Sequence, residues 1–378
     1  MKLDLLYEVD APRPWPAPHP HGQREEEQRA YGEALEQIQL ADKVGFNTVW
    51  CVEHHFREGR SHMPCPEVVL GALSQITRRI RLGFGVALTP HNFTHPVRMA
   101  EKVATVDILS KGRVEWGTGR STPMEQAAFH VERARSKEQW KAAIKSTVGM
   151  WEAEYYEEKS EFLDFPLRMV TPKPFQDPHP PCWMAAVSEE SAAVAGANSL
   201  GMLLLSILRP LSKLSEQIRQ YRDAERTAIP LTQVKNNRIA AYTLVHCVEN
   251  PAELERNKAW ESVWWWYRSL AEFVLKWEYP NFSEEERAKT FPHYQLAMQG
   301  KLDVHEFGRE DMVIVGTVEE CMRKFLRYRD LGIDHVICYV QFGHIPHQGV
   351  MKTIQLLGDH VIPKLNALGV KAGLENAR

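Results

Sequence analysis

ADKVGFNTVWCVEHHF, residues 41–56, holds a helix end, a turn, a strand and a polar terminus in one short run. Ala41 and Val44 close the series Tyr31, Leu35, Ile38, Ala41 and Val44, whose spacing is that of one helix face. NTVWCV (47–52) then reads as a short buried strand, and Glu53, His54 and His55 stand at its C-terminal end. A buried strand entered directly from a helix belongs to a parallel sheet, because parallel strands need crossover connections.

The same rhythm extends in both directions. Further strands are expected at KLDLLYEV (2–9), IRLGFGVAL (80–88), RVEWGTG (113–119), CWMAAV (182–187), MLLLSIL (202–208), RIAAYTLVHCV (238–248) and HVICYVQF (335–342). Pro66 and Pro96 stand at helix starts, where a missing N–H costs nothing, and Gly112 stops the second of those helices. Eight strand–helix units predict an α/β fold, a closed (β/α)8 TIM barrel forming a single domain over residues 1–378. The Gly-x-Gly-x-x-Gly turn of a Rossmann dinucleotide fold is missing after the first strand.

Three segments break the rhythm. APRPWPAPHPHG (11–22) is a proline-rich loop, residues 152–181 form an insertion after the fourth strand, and residues 250–316 form one after the seventh. Long excursions in a compact domain are usually functional. The last carries WWWY (264–267) and is the expected lid. Three consecutive tryptophans on a helix point in different directions, so Trp264, Trp265 and Trp266 cannot share one buried face. At least one is expected to meet a ligand, a lid contact or a partner.

Composition narrows the function. The chain has 378 residues, 44% hydrophobic and 25% charged, with a net charge of −3 and no basic block, which argues against nucleic-acid or anionic-membrane binding. Six scattered cysteines without a CxxC pair read as reduced thiols of a cytoplasmic protein. MKLDLLYEVD carries acids within its apolar run, unlike a signal peptide, and no stretch approaches a membrane span.

Active sites of TIM barrels lie at the C-terminal strand ends, where EHHF (53–56) falls. Strand alternation lets only one of His54 and His55 face the barrel pocket. Such an imidazole can act as a general base near neutral pH, or the pair can simply hydrogen-bond loop backbone. Adjacent histidines rarely chelate one ion, so no metal site is expected from them with His19 and His21. GTGRS (117–121) ends the fourth strand with Arg120, and AVSEESAAVAG (186–196) opens a helix behind the N-cap Ser188. The N–H groups of Glu189, Glu190 and Ser191, together with Arg120, would suit one phosphate, although ordinary capping explains the turn equally well.

Beyond these local signals, ADKVGFNTVWCVEHHF, THPVRMAEKVATVDILSKGR (94–113), WGTGRS (116–121), TPKPFQDPHPPCWMAAVSEES (171–191) and VGTVEECMRKFLRYRDLGIDHV (315–336) resemble the bacterial luciferase-like flavin-dependent monooxygenases. The resemblance implies a TIM barrel using reduced FMN, supplied by a separate flavin reductase, and O2. A flavin peroxide would oxygenate a small organic substrate. It implies that His54 is catalytic, with His55 beside it, that Arg120 and the Ser188, Glu189, Glu190, Ser191 turn bind the flavin phosphate, and that Gly85–Val86 is a cis peptide under the flavin ring. Gly119 stands where luciferase has a reactive cysteine, which weakens any expectation of light emission. A homodimer through the helices at 66–78 and 95–109 is implied as well. A deazaflavin-dependent oxidoreductase and a noncatalytic flavin-binding partner subunit are the alternatives. The tryptophans and the 11–22 loop favour an apolar or aromatic substrate.

Overall fold

A computed structural model describes residues 1–207 and 209–375; Leu208, the last residue of the sixth expected strand, and residues 376–378 lie outside it. Strands form at Lys2–Tyr7, Thr48–Cys51, Arg81–Leu88, Val114–Gly119, Cys182–Ala186, Gly201–Leu205, Ile239–Val248 and His335–Tyr339. Every expected strand is present, mostly trimmed by a few residues at its ends. Each pairs in parallel with the next, and the eighth returns to the first with Cys338 opposite Leu5, closing an eight-stranded barrel. Helices starting at Pro66 and Pro96 flank it as the prolines predict.

The excursions are more ordered than their composition suggests. Residues 156–168 hold an antiparallel hairpin, Tyr156–Lys159 with Asp164–Arg168. The helix expected after the proline-rich loop starts inside it, at His21. The segment after the seventh strand contains the helix Ala259–Phe273, a wider turn Val274–Glu278, and the helices Glu284–Thr290 and Pro292–Met298. It ends in a short strand, Ile314–Thr317, that pairs with the protruding end of the seventh strand, Val315 opposite His246. That strand was not expected, because its four residues are too few to show a period. Among the described residues no helix is long and apolar enough to cross a membrane.

Two indoles plug the barrel. Trp50 and Trp183 meet edge to face with centroids 5.4 Å apart. Trp50 Nε1 donates to Asp4 Oδ2 at 3.0 Å, and Trp183 Nε1 donates to Glu115 Oε2 at 2.6 Å. Glu115 also accepts from Arg81 Nε at 2.6 Å and Arg238 Nη2 at 3.0 Å, so the buried carboxylate is paired. Neighbouring strands supply the space: a Cβ at Gly83 would lie 2.4 Å from Trp50 Cε3, and one at Gly201 would lie 2.3 Å from Trp183 Cε3.

Gly83→Ala should therefore destabilise the fold by about 1–3 kcal/mol through overpacking. Gly32→Ala, where a Cβ meets nothing within 4 Å on the helix His21–Val44, should stabilise it by about 0.4–1 kcal/mol. Urea denaturation midpoints check both; a neutral Gly83→Ala would show that the plug yields.

Candidate active site

Above the plug, the C-terminal strand ends enclose a cavity of about 410 Å³. Its floor is Leu6, Trp50, Leu203 and Ile337 from the strands, and its roof is Trp266, Leu270, Val274 and Phe291 from the excursion after the seventh strand. Its wall carries Glu8, His54, Arg57, Arg60, Arg120, Tyr242 and Glu278.

The opening motif divides as alternation requires. His54 lines the cavity, while His55 turns to the rim, its ring 4.7 Å from Phe129 and 6.4 Å from Phe93. Glu53 is a fastener: its Oε2 accepts from Leu88 N of the third strand at 2.9 Å. His54 Nδ1 lies 3.2 Å from Glu125 Oε1, which also accepts from His55 N at 2.7 Å. The hydroxyl of Ser121 donates to the other oxygen of Glu125. Burial pushes the Glu125 carboxyl up, but His54 by charge and hydrogen bond, then Arg57 and the His55 amide, outweigh it and hold it well below the usual carboxylate range. Glu125 is thus an anion, so Nδ1 is the protonated nitrogen of His54 and Nε2 is left for chemistry.

Glu125 was not anticipated. It is the third residue of the short helix Pro123–Ala128, in a capping box with Thr122. The Thr-x-x-Glu pattern of TPME (122–125) signals that turn, but only the fold brings it to His54. Arg57 and Arg60 were missed as well, since charged residues are ordinarily expected in solvent. Both are buried, and Arg60 Nη1 pairs with Glu8 Oε2 at 3.2 Å.

Arg120 stands at the cavity wall, half-buried, with Nη1 donating to Ser136 Oγ at 2.9 Å. Burial lowers its pKa, Glu190 opposes that and Arg133 adds to it. Ser188 is the expected N-cap, but its Oγ accepts from Ser191 N at 3.2 Å, so that amide is already occupied. The Glu189 and Glu190 side chains are exposed, and Glu190 pairs with Lys137. The turn adjoins the cavity through Val187 and does not itself line it.

Gly85–Val86 is a cis peptide on the cavity wall, where the third strand slips register against the fourth between Phe84 and Ala87. The lack of a side chain at Gly85 makes room for Trp50, whose Cβ would lie 2.8 Å from an added Cβ. A Cβ at Gly119 would fall 2.4 Å from Val86 Cγ2, which leaves no ready place for a thiol. Of the three tryptophans only Trp266 lines the cavity. Trp264 stacks on Tyr267 and Trp265 lies against His344, because successive residues turn by about 100° around the helix. No residue of the 11–22 loop lines the cavity, so that loop says nothing about the substrate.

A barrel with a histidine–carboxylate pair in a roofed C-terminal cavity is the frame of a TIM-barrel enzyme. The profile of the luciferase-like monooxygenases matches residues 15–335, and the chain belongs to that family. It is 25% identical over 334 residues to the oxygenase component of a flavin-dependent trigonelline monooxygenase from Acinetobacter baylyi, covering 84% of this chain and 85% of that one. It is 24% identical over 346 residues to an F420-dependent glucose-6-phosphate dehydrogenase from Amycolatopsis mediterranei, covering 87% and 93%. Among solved structures, monooxygenase RslO1 from Streptomyces bottropensis superposes with a TM-score of 0.74 at 25% identity, covering 97% of this chain and all (100%) of that one.

Because the folded pKa of Glu125 is depressed, its pairing adds stability above the ordinary carboxylate pKa of 4.5 and loses it as pH falls towards the folded value. Glu125→Gln should cost about 3–5 kcal/mol at neutral pH, as breaking a buried pair does. The gap to wild type should narrow below pH 4.5. Urea titrations at several pH values check this, and a gap constant with pH would mean Glu125 is not held ionised.

Proposed function

We propose that this chain is the oxygenase of an FMN-dependent monooxygenase, taking reduced FMN from a separate reductase and using O2 to oxygenate a small organic substrate. The observation that carries the reading is His54, held by an ionised, fully buried Glu125 at the wall of a roofed cavity.

The residues present fit a flavin. The Arg120 guanidinium has a neutral hydroxyl as its hydrogen-bonding partner, so a phosphate would supply the missing anion. The Ser188–Ser191 turn adjoins the cavity through Val187, and the Gly85–Val86 cis peptide lies on the cavity wall. When bound, reduced FMN supplies the electrons that activate O2. His54 Nε2 moves a proton between the reacting oxygen or substrate and the cavity, while Glu125 fixes its tautomer and steadies its charged form. We further propose that residues 250–316 act as a lid: Trp266, Leu270, Val274 and Phe291 keep water from the reacting atoms. The presence of His54 favours a working oxygenase over a noncatalytic partner subunit.

Anaerobic titration with reduced FMN and with reduced F420, followed by O2 uptake and product analysis, tests the reading. Preference for F420 without O2 uptake would replace it with a deazaflavin oxidoreductase. Arg120→Ala should weaken FMN binding about ten- to a hundredfold, the value of a charge-assisted bond, and leave riboflavin binding nearly unchanged. His54→Asn should slow oxygenation by about 10²–10⁴-fold with FMN binding intact, while His55→Asn should act on stability. Leu270→Ala should raise hydrogen peroxide released per FMN oxidised, provided thermal melting stays native-like. Unchanged coupling would remove the lid role.

A further inference from the structure

The cavity holds more buried charge than a simple apolar substrate needs. Four of its lining residues carry buried polar atoms without a hydrogen bond: Glu8 Oε2, Arg57 Nε, Trp266 Nε1 and Glu278 Oε1. Glu8 Oε2 at least has the Arg60 ion pair. Arg57 does not fare as well. Its guanidinium lies over Phe273 at 5.0 Å, under the roof, between two carboxylates. Nε is 3.6 Å from Glu125 Oε1 and Nη2 is 3.9 Å from Glu278 Oε1, both beyond hydrogen-bond reach. Glu125 is already engaged by His54, the His55 amide and Ser121. Leaving such a buried donor without a hydrogen bond is costly, so something else should meet it.

Resting on the proposed oxygenase reading only in placing the substrate in this cavity, we propose that Arg57 and Trp266 form an anion subsite for a small carboxylic-acid substrate. The Arg57 Nε–H and Trp266 Nε1–H are the donors. Leu6, Leu203, Leu270 and Val274 enclose the rest of the molecule. The electrostatics agree. Burial lowers the Arg57 pKa and Arg60 adds to the pull, against Glu125, Glu8 and Glu278. Burial raises the Glu278 carboxyl, with Arg57 opposing. The substrate is therefore an organic acid with an apolar body, rather than a plain hydrocarbon, aldehyde or ketone.

The test uses the full chain saturated with FMN and isothermal titration of benzoate, phenylacetate and hexanoate, each against its amide. At least one acid should bind about ten- to a hundredfold more tightly than its amide, as a charge-assisted bond supplies. Arg57→Met should abolish the preference, and Arg57→Lys, with charge but no planar fork, should keep part of it. Should Arg57→Met fail to fold, Glu278→Gln decides: removing the competing carboxyl should tighten acid binding, and unchanged or weaker binding overturns the subsite. No acid preferred over its amide also overturns it, as does a preference untouched in the Arg57 variants. An equal loss of FMN affinity in those variants would show that Arg57 serves the flavin instead. O2 uptake without acid selectivity would leave the oxygenase standing and this inference fallen; acid selectivity without flavin binding would do the reverse.

Discussion

A closed barrel of eight strands leaves an interior that must be filled, and here Trp50 and Trp183 fill it. The two rings bury large apolar areas and meet edge to face, a geometry worth about 0.5–1.5 kcal/mol beyond burial. Each also carries an N–H that needs an acceptor, and Asp4 and Glu115 provide them. Those carboxylates must then be met in turn, by His335 on Asp4 and by Arg81 and Arg238 on Glu115. The glycines at 83 and 201 follow from the same constraint, since any side chain there would run into an indole, and one at 85 would run into the Cβ of Trp50. The lower half of the barrel is solid, and the site can only be built above it.

Above that floor the polar groups come from loops, and they are joined. Glu125 holds His54 and approaches Arg57, Arg57 approaches Glu278 of the roof, and Arg60 pairs with Glu8 while lying over Trp266 at 5.2 Å. Buried polar groups are ordinarily satisfied, and four that lack a hydrogen bond, on Glu8, Arg57, Trp266 and Glu278, line this cavity. The roof thus contributes chemistry as well as cover: Trp266 and Glu278 bring polar atoms from the excursion into the cavity that Leu270 and Val274 seal.

Two buried arginines, Arg57 and Arg60, reach the cavity from the loop after the second strand. Their neighbour Phe56 is 62% exposed with φ 61°, so the loop turns sharply just after the histidines and sends Arg57 back under the roof.

What the sequence determined is local in origin. Helical and strand periods report which face of each segment is apolar, and eight such strand–helix alternations point to a closed parallel barrel. Pro66, Pro96 and Ser188 mark helix starts through chemistry confined to one turn. That only one of His54 and His55 can face the pocket follows from strand alternation, and the structure makes it His54. What only the tertiary structure decided is which distant groups meet. Glu125 reaches His54 across 71 residues, a distance along the chain that no period encodes. Trp266, and not Trp264 or Trp265, enters the cavity because of how the Ala259–Phe273 helix is rotated against the barrel. The reason for glycine at 83 lies in an indole on the neighbouring strand. Arg57 reads as an ordinary surface charge until the roof covers it, since burial is a property of the assembled fold and not of the residue.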